Sequence, residues 1–275
     1  MCQTSSCKIP LLPNGAINTQ LIENSKAYDA ISDLYDFEYP HALPVETTFW
    51  AHMIERFGGP ALELAVGSGR IALELSQRGH QIDGIDSSQS MLNIAKEKLK
   101  KVSNAQQGRI NLYKANMESF LLNRQYGVIY APFNAFLLLP HGKSASQCLE
   151  SCQIHLRKNG RLLIDVFAMN HTDTLPDNET IKYVDRHQKS GAKIERERIY
   201  TYDPVTRSGN SLITYTLHPK DGPAFTRSYE YRLYLYTQAQ LELCIQNSGF
   251  VIEEVIENYR QPESTEDSSV FVCRY

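Results

Sequence analysis

The chain has 275 residues, 42% hydrophobic and 21% charged, with a formal net charge of -3, the composition of an ordinary folded protein with a sizeable core. Its charges are interspersed and gather into no basic face, which argues against a nucleic-acid partner. No stretch approaches the roughly 18 apolar residues that span a bilayer.

The opening segment, MCQTSSCKIPLLPNG, lacks the basic start and long apolar run of a signal peptide, and reads as a flexible leader on a cytoplasmic protein. The six cysteines, Cys2, Cys7, Cys148, Cys152, Cys244 and Cys273, form no Cys-x-x-Cys pair, so free thiols are expected and a metal is not. From about Glu23 to Phe57 the pattern is helical, with a break near Tyr39-Pro40. Pro60 to Val66 then reads as a buried strand, and Gly67-Ser68-Gly69 as a tight turn into a helix that continues to Arg78. A second strand covers Gln81 to Asp86. The helix from Ser90 to Val102 carries Met91, Ile94, Ala95, Leu99 and Val102 on one face.

Two more strands follow at Ile110 to Ala115 and Val128 to Ala131. The helix Ala145 to Leu156 places Cys148 and Cys152 on one face, and Asn159-Gly160 turns into a fifth strand, RLLIDVF. Strands alternating with helices at this spacing predict a parallel sheet covered on both faces. After Ala168 the rhythm changes. Between Ile181 and Tyr236 the segments ERERIYTYDP, NSLITYTLHP and RSYEYRLYLYT alternate in period two, as antiparallel strands do. Eight of the sixteen tyrosines fall here, either as cross-strand packing or as an aromatic lid over a pocket. A helix from Thr237 to Ser248 and two strands, GFVIEEVIENY and SSVFVCRY, close the chain. The expected organisation is a leader and helical cap over 1–60, a core over 61–170, an antiparallel lid over 171–236, and a C-terminal segment, 237–275, that completes the core sheet.

Gly67-Ser68-Gly69-Arg70-Ile71-Ala72 satisfies the dinucleotide pattern G-x-G-x-x-G/A. Asp86, ending the second strand, suits the ribose of any nucleoside. Two features weigh against a dinucleotide. Glu63, inside the first strand, would repel a pyrophosphate and suits a cationic ligand. Met91, in the segment SSQSML after Asp86, offers a polarisable thioether to an adenine ring. A nucleoside that carries positive charge, such as S-adenosylmethionine, meets both conditions.

The stretch LELAVGSGRIALELSQRGHQIDGIDSSQSMLNIAKEKL resembles the cofactor-binding half of class I S-adenosylmethionine-dependent methyltransferases, nearest the small-molecule, N-methyltransferase-like group with an antiparallel lid. The likeness continues through YKANMESF, IYAPFNAFLLL, LRKNGRLLIDVF and SGFVIEEV. It implies an α/β, Rossmann-like, mostly parallel seven-stranded sheet with helices on both faces and an antiparallel β insert. By the same resemblance Ala65, Gly67 and Gly69 let the backbone approach the methionine tail, Glu63 anchors its amino end, and Asp86 with Ser87 holds the ribose. Met91 flanks adenine, with Asn116 and Met117 opposite. Ala131 to Asn134 border the sulfonium, and Tyr28 and Tyr35 close over the cofactor. The family often has aspartate where this chain has Asn116, and an acidic residue where its fourth strand begins Tyr126-Gly127-Val128.

The implied activity is methyl transfer to a small-molecule acceptor, with an amine nitrogen favoured. The N-terminal amine of a short peptide natural product and an oxygen acceptor stand as alternatives, with a NAD-dependent oxidoreductase or a non-catalytic sensor of S-adenosylmethionine behind them. His141, just past the fourth strand, is the candidate base, with His171 a weaker one. Tyr28 and Tyr202 are candidate phenol contacts. Monomer and homodimer both remain open.

Overall fold

A computed structural model describes residues 19–39, 42–167, 179–186, 193–261 and 268–275. The expected leader, Cys2, Cys7 and His171 lie outside them. Two helices, α1 (Thr19–Glu38) and α2 (Pro44–Phe57), precede an alternating series: β1 (Ala61–Leu64), α3 (Arg70–Gln77), β2 (Ile82–Asp86), α4 (Gln89–Leu99), the single turn α5 (Asn104–Gln107), β3 (Ile110–Lys114) and β4 (Tyr126–Ala131). A short 3₁₀ turn at Ala135–Leu138, α6 (Lys143–His155) and β5 (Leu156–Phe167) follow. The insert supplies β6 (Glu179–Arg186), β7 (Lys193–Asp203), β8 (Ser208–His218) and β9 (Phe225–Tyr234), and α7 (Gln238–Asn247), β10 (Val251–Glu257) and β11 (Ser268–Arg274) end the chain.

The strands form two sheets. Seven run in the order β10-β11-β5-β4-β1-β2-β3, parallel from β5 to β3, with β11 antiparallel to both β5 and β10. The other four form the antiparallel meander β6-β7-β8-β9. Every residue of β1 and β4 is buried, because a central parallel strand is covered on both faces and reads as a continuous apolar run. On one face α6 and α7 pack through Leu149, Cys152, Leu241 and Ile245. On the other, α2 and α3 pack through Trp50, Ile54, Ile71 and Leu75. The Trp50 and Tyr130 rings stack with centroids 4.9 Å apart.

Helix α1 joins the two sheets. Its Ala27, Ile31 and Leu34 are buried with Ile194, Ile213, Tyr215 and Tyr229 of the meander. Asp29 reaches the other way, accepting hydrogen bonds from the Ser88 hydroxyl at 2.5 Å and the Ser90 N–H at 3.1 Å. The Asn24 amide pairs with the Arg232 backbone, and Asp33 with the Arg227 guanidinium at 2.7 Å. One helix is therefore fastened to the start of α4 and to β9 together.

Two local expectations need correction. In α4 the buried residues are Met91, Leu92 and Ala95, while Ile94, Leu99 and Val102 are only half-buried. The stripe is turned toward Leu92 because α4 lies beside α3, whose Ile71, Ala72 and Leu75 share a cluster with it. Asn159-Gly160 is also not a turn before β5. The strand starts directly after α6, at Leu156, and its pairing with β4 shifts register between Tyr126 and Val128. Among the described residues, no helix is long and apolar enough to cross a membrane.

Gly127 explains why β4 begins without an acidic residue. Its N–H donates to the Pro60 carbonyl at 3.0 Å, and a Cβ there would overlap the Gly58 carbonyl oxygen. Gly127→Ala should destabilise the fold by about 3 kcal/mol, because backbone must move to admit the methyl group. Urea unfolding should show a lower midpoint at an unchanged slope.

Candidate active site

The carboxyl ends of β1, β2 and β4 open into a cavity of about 490 Å³, closed above by α1 and by the meander. Such a crevice beyond the strand ends is where open α/β sheets hold ligands. Its floor is the turn after β1. Ala65 and Gly67 take left-handed backbone angles, with φ of 53° and 55°, and a Cβ on Gly67 would press the Met91 methyl at 3.3 Å. The missing side chain leaves backbone facing the cavity.

Asp86 fixes this floor. One carboxylate oxygen accepts the Gly67 N–H at 2.7 Å and the other accepts the Ser88 N–H, also at 2.7 Å. The carboxylate keeps lone-pair capacity for a ligand hydroxyl. Burial lifts this carboxyl to about 6, against the lowering effect of those two N–H groups. Ser87 lies beside it on the wall, with its carbonyl accepting from the Ser25 hydroxyl at 3.1 Å.

Glu63 is the second acid. It is 3% exposed, accepts the Tyr130 hydroxyl at 2.7 Å, and faces the same cavity. Burial raises its carboxyl to about 8, with the Tyr130 hydrogen bond and the Arg70 charge opposing. A group so placed exchanges its proton for a ligand cation, since an adjacent positive charge restores the ionised form.

Beyond β4 the chain turns through Phe133 and Asn134, both with positive φ, 52° and 63°. Such angles cost free energy at non-glycine residues and persist where the surroundings impose them. Here Asp165 of β5 accepts the Phe133 N–H at 2.8 Å, and the Asn134 amide oxygen accepts the Phe167 N–H at 2.6 Å. Asp165 is also bonded by Arg260 and by the Tyr259 hydroxyl. Arg70 pairs with buried Glu46 at 2.5 Å, and the Arg70 and Arg260 guanidiniums lie 4.9 Å and 5.3 Å from the Phe133 ring centre. Removing one partner from such a buried ionic set costs about 3–5 kcal/mol, so the loop after β4 is held rigidly.

The upper half of the cavity is aromatic. Tyr28 and Tyr35 of α1 meet edge to face at 6.1 Å, and Tyr28 lies 6.3 Å from Tyr231 of β9. Burial pushes the Tyr28 hydroxyl well above its ordinary range, so it stays a neutral phenol. Tyr229, Ile213, Leu233 and Arg198 complete the lid side.

Of the residues singled out from sequence, Tyr28, Tyr35, Glu63, Ala65, Gly67, Asp86, Ser87, Met91, Asn116, Met117 and Asn134 all line this one cavity. Four do not. Gly69 starts α3 with φ of 78°, and a Cβ there would meet Ala95 at 3.3 Å, so its smallness serves the packing of α3 on α4. Ala131 is fully buried in the core beneath the cavity. His141 packs edge-on against Tyr236 at 4.2 Å, away from the wall, and burial lowers its pKa. Tyr202 packs against the core beside Leu233. The Asn116 amide is drawn into its own loop, its oxygen accepting the Glu118 N–H at 2.9 Å.

Phe133, inside the expected span Ala131 to Asn134, lines the cavity as well, whereas sequence reasoning missed Asn24, Arg70 and Arg198 on the wall. Arg70 had a signal, being the first residue of the helix after the glycine turn. The others face inward only through tertiary placement.

Residues 61–160 match the family described as a methyltransferase domain. YqeM of Bacillus subtilis strain 168, named provisionally as a methyltransferase, is 25% identical over 164 residues, covering 57% of this chain. The chain spans 65% of that relative's length. The CcbJ methyltransferase of Streptomyces caelestis superimposes with a TM-score of 0.73 at 22% identity, over 90% of this chain and 97% of its own. CalS10 of Micromonospora echinaspora, an amino pentose methyltransferase solved with S-adenosylmethionine bound, gives 0.69 at 15% identity, over 87% and 96%.

The cavity suits that cofactor. If it binds here, the open backbone at Gly67 would admit its methionine tail, Glu63 and Arg70 would face its ammonium and carboxylate, Asp86 would meet the ribose, and Met91 and Met117 would offer apolar contact to adenine. Two pH effects on S-adenosylhomocysteine binding follow. Asp86 loses acceptor capacity when protonated, so affinity should fall as pH drops through about 6. Glu63 holds its proton up to about 8 in the ligand-free protein, so binding at neutral pH should release protons. Calorimetry in buffers of different ionisation enthalpy reads both. Glu63→Gln should abolish the proton release, and Asp86→Asn should remove the acid-side decline while weakening affinity about tenfold or more.

Proposed function

We propose that the chain is an S-adenosylmethionine-dependent methyltransferase that transfers a methyl group to the amine nitrogen of a small molecule enclosed beneath the meander, a reading supported by the methyltransferase-domain match over residues 61–160. The observation that carries this reading is the continuity of one cavity, from the Gly67 turn and Asp86 to the aromatic face made by Tyr28, Tyr229 and Tyr231. Its volume, about 490 Å³, lies in the range of small-molecule sites. Aromatic faces favour a nitrogen that gains positive charge as it is methylated. The similar fold of MtfA, named as a glycopeptide N-methyltransferase, is consistent with nitrogen as the acceptor atom.

The cofactor supplies a methyl group already made electrophilic by its sulfonium. The protein's part is placement and exclusion of water. Glu63, Arg70 and Asp86 hold the donor from the floor, and the rigid Phe133-Asn134 loop limits its movement on the β4 side. From the lid, Tyr28 and Tyr231 press the acceptor toward it. Bringing the reacting atoms to about 3–3.5 Å supplies much of the rate.

Among the described residues, no histidine or lysine lines the cavity. In this reading the amine sheds its proton before or as it enters. Tyr28, kept neutral, can accept a hydrogen bond from the incoming N–H and leave the nitrogen lone pair directed at the donor.

The test is a panel of small amines, short peptides and matched alcohols, with S-adenosylhomocysteine release and methylated product followed by mass spectrometry. N-methylated products are expected; products methylated only at oxygen, or none while the cofactor binds, would overturn the reading. Tyr28→Phe should slow transfer about tenfold, the worth of one hydrogen bond, with S-adenosylhomocysteine affinity retained. His141→Gln, outside the cavity, should leave the rate unchanged.

A further inference from the structure

The lid places a cation on the cavity wall with its end groups unmatched by the protein. Arg198 of β7 stands opposite Ile213 of β8, which stands opposite Tyr229 of β9, and all three face the cavity. Its Nε donates to the Ser211 hydroxyl at 3.2 Å, and its guanidinium carbon lies 5.3 Å from the centre of the Tyr200 ring. These contacts aim the guanidinium and leave Nη1 and Nη2 free: among the described residues neither has a hydrogen-bond or ion-pair partner. Nearby cations are matched, Arg227 with Asp33 at 2.7 Å and Lys193 with Glu195 at 2.6 Å.

We propose that Arg198 recognises an oxyanion, a carboxylate or a phosphate, on the methyl acceptor. Arg198 is half-buried on the cavity wall, and a cation facing a cavity without a protein counter-ion attracts an anionic group that enters it. The Nη1/Nη2 edge is the fork that binds two oxygens of a carboxylate or phosphate together. The donor's own carboxylate would have a partner on the floor in Arg70, which stands at the glycine turn and acts electrostatically on Glu63. The lid arginine is left for the second ligand. The acceptor is thus an amine that also carries an oxyanion, anchored at the lid while its nitrogen is presented to the methyl group. This rests on the methyltransferase reading above.

The test uses benzoate, phenyl phosphate and neutral benzamide, which share a ring and differ in charge. Each is titrated into the full chain saturated with S-adenosylhomocysteine. At least one anion should bind about tenfold or more tightly than benzamide, as expected of a bidentate charged pair. Preference for benzoate identifies a carboxylate and preference for phenyl phosphate a phosphate. Arg198→Met should erase the preference, Arg198→Lys should keep part of it as a point charge, and S-adenosylhomocysteine affinity should be the same in all three proteins. That equal affinity also reports that the variants are folded. Equal binding of the three probes, or a preference that survives Arg198→Met, overturns the proposal. A loss of S-adenosylhomocysteine affinity in Arg198→Met would assign Arg198 to the cofactor and overturn it as well. Failure of the wild-type chain to bind S-adenosylhomocysteine would instead defeat the methyltransferase reading.

Discussion

One carboxylate organises the site. Asp86 accepts backbone N–H groups from the loops after β1 and β2, at Gly67 and Ser88. Two irregular segments, which would otherwise bury unpaired donors, are thereby fixed against each other. Ser88, held in this way, caps α4 by accepting the Met91 N–H and donates to Asp29 of α1. The position of the lid helix thus depends on the group best placed to meet a ribose. The two oxygens that fix the loops are the same two that the proposed ribose contact would use.

The other charges divide by depth. Glu46, Arg70, Arg260 and Asp165 form a buried set behind Phe133 that fixes the strained loop beyond β4. Glu63 and Asp86 are acids whose burial makes ionisation costly in the ligand-free protein. For Glu63 that cost is relieved by a cation, which gives the floor a preference for a positively charged ligand over a pyrophosphate. Arg198 gives the roof the opposite preference. The cavity is therefore polar at both ends and aromatic between them.

The parallel core was legible because a buried central strand needs an unbroken apolar run, and ALEL and YGVIYA have one. The antiparallel insert was legible from strict alternation in ERERIYTYDP and NSLITYTLHP. Asn159-Gly160 misled because a turn dipeptide and an irregularity in strand pairing use the same residues; the partner strand decides between them. The α4 face was misjudged at Leu92 because periodicity locates a stripe without saying that α3 packs at its edge. His141 was placed near the mouth by its distance from β4 along the chain. In the fold its ring turns into the packing around Tyr236 instead.

The sequence by itself determined the sheet, the turn after β1 and the acids at Glu63 and Asp86. Those features follow from local periodicity and from fixed offsets within one strand-turn-helix unit. Only the tertiary structure decided that α1 packs on the meander and on the start of α4, that Arg70 is bound to Glu46 and that Arg198 looks inward. These placements join residues far apart in the chain, and β-strand alternation states which residues share a face without stating which face is covered. The cover comes from α1, whose Ala27, Ile31 and Leu34 bury one side of the meander and turn that side into the roof of a site.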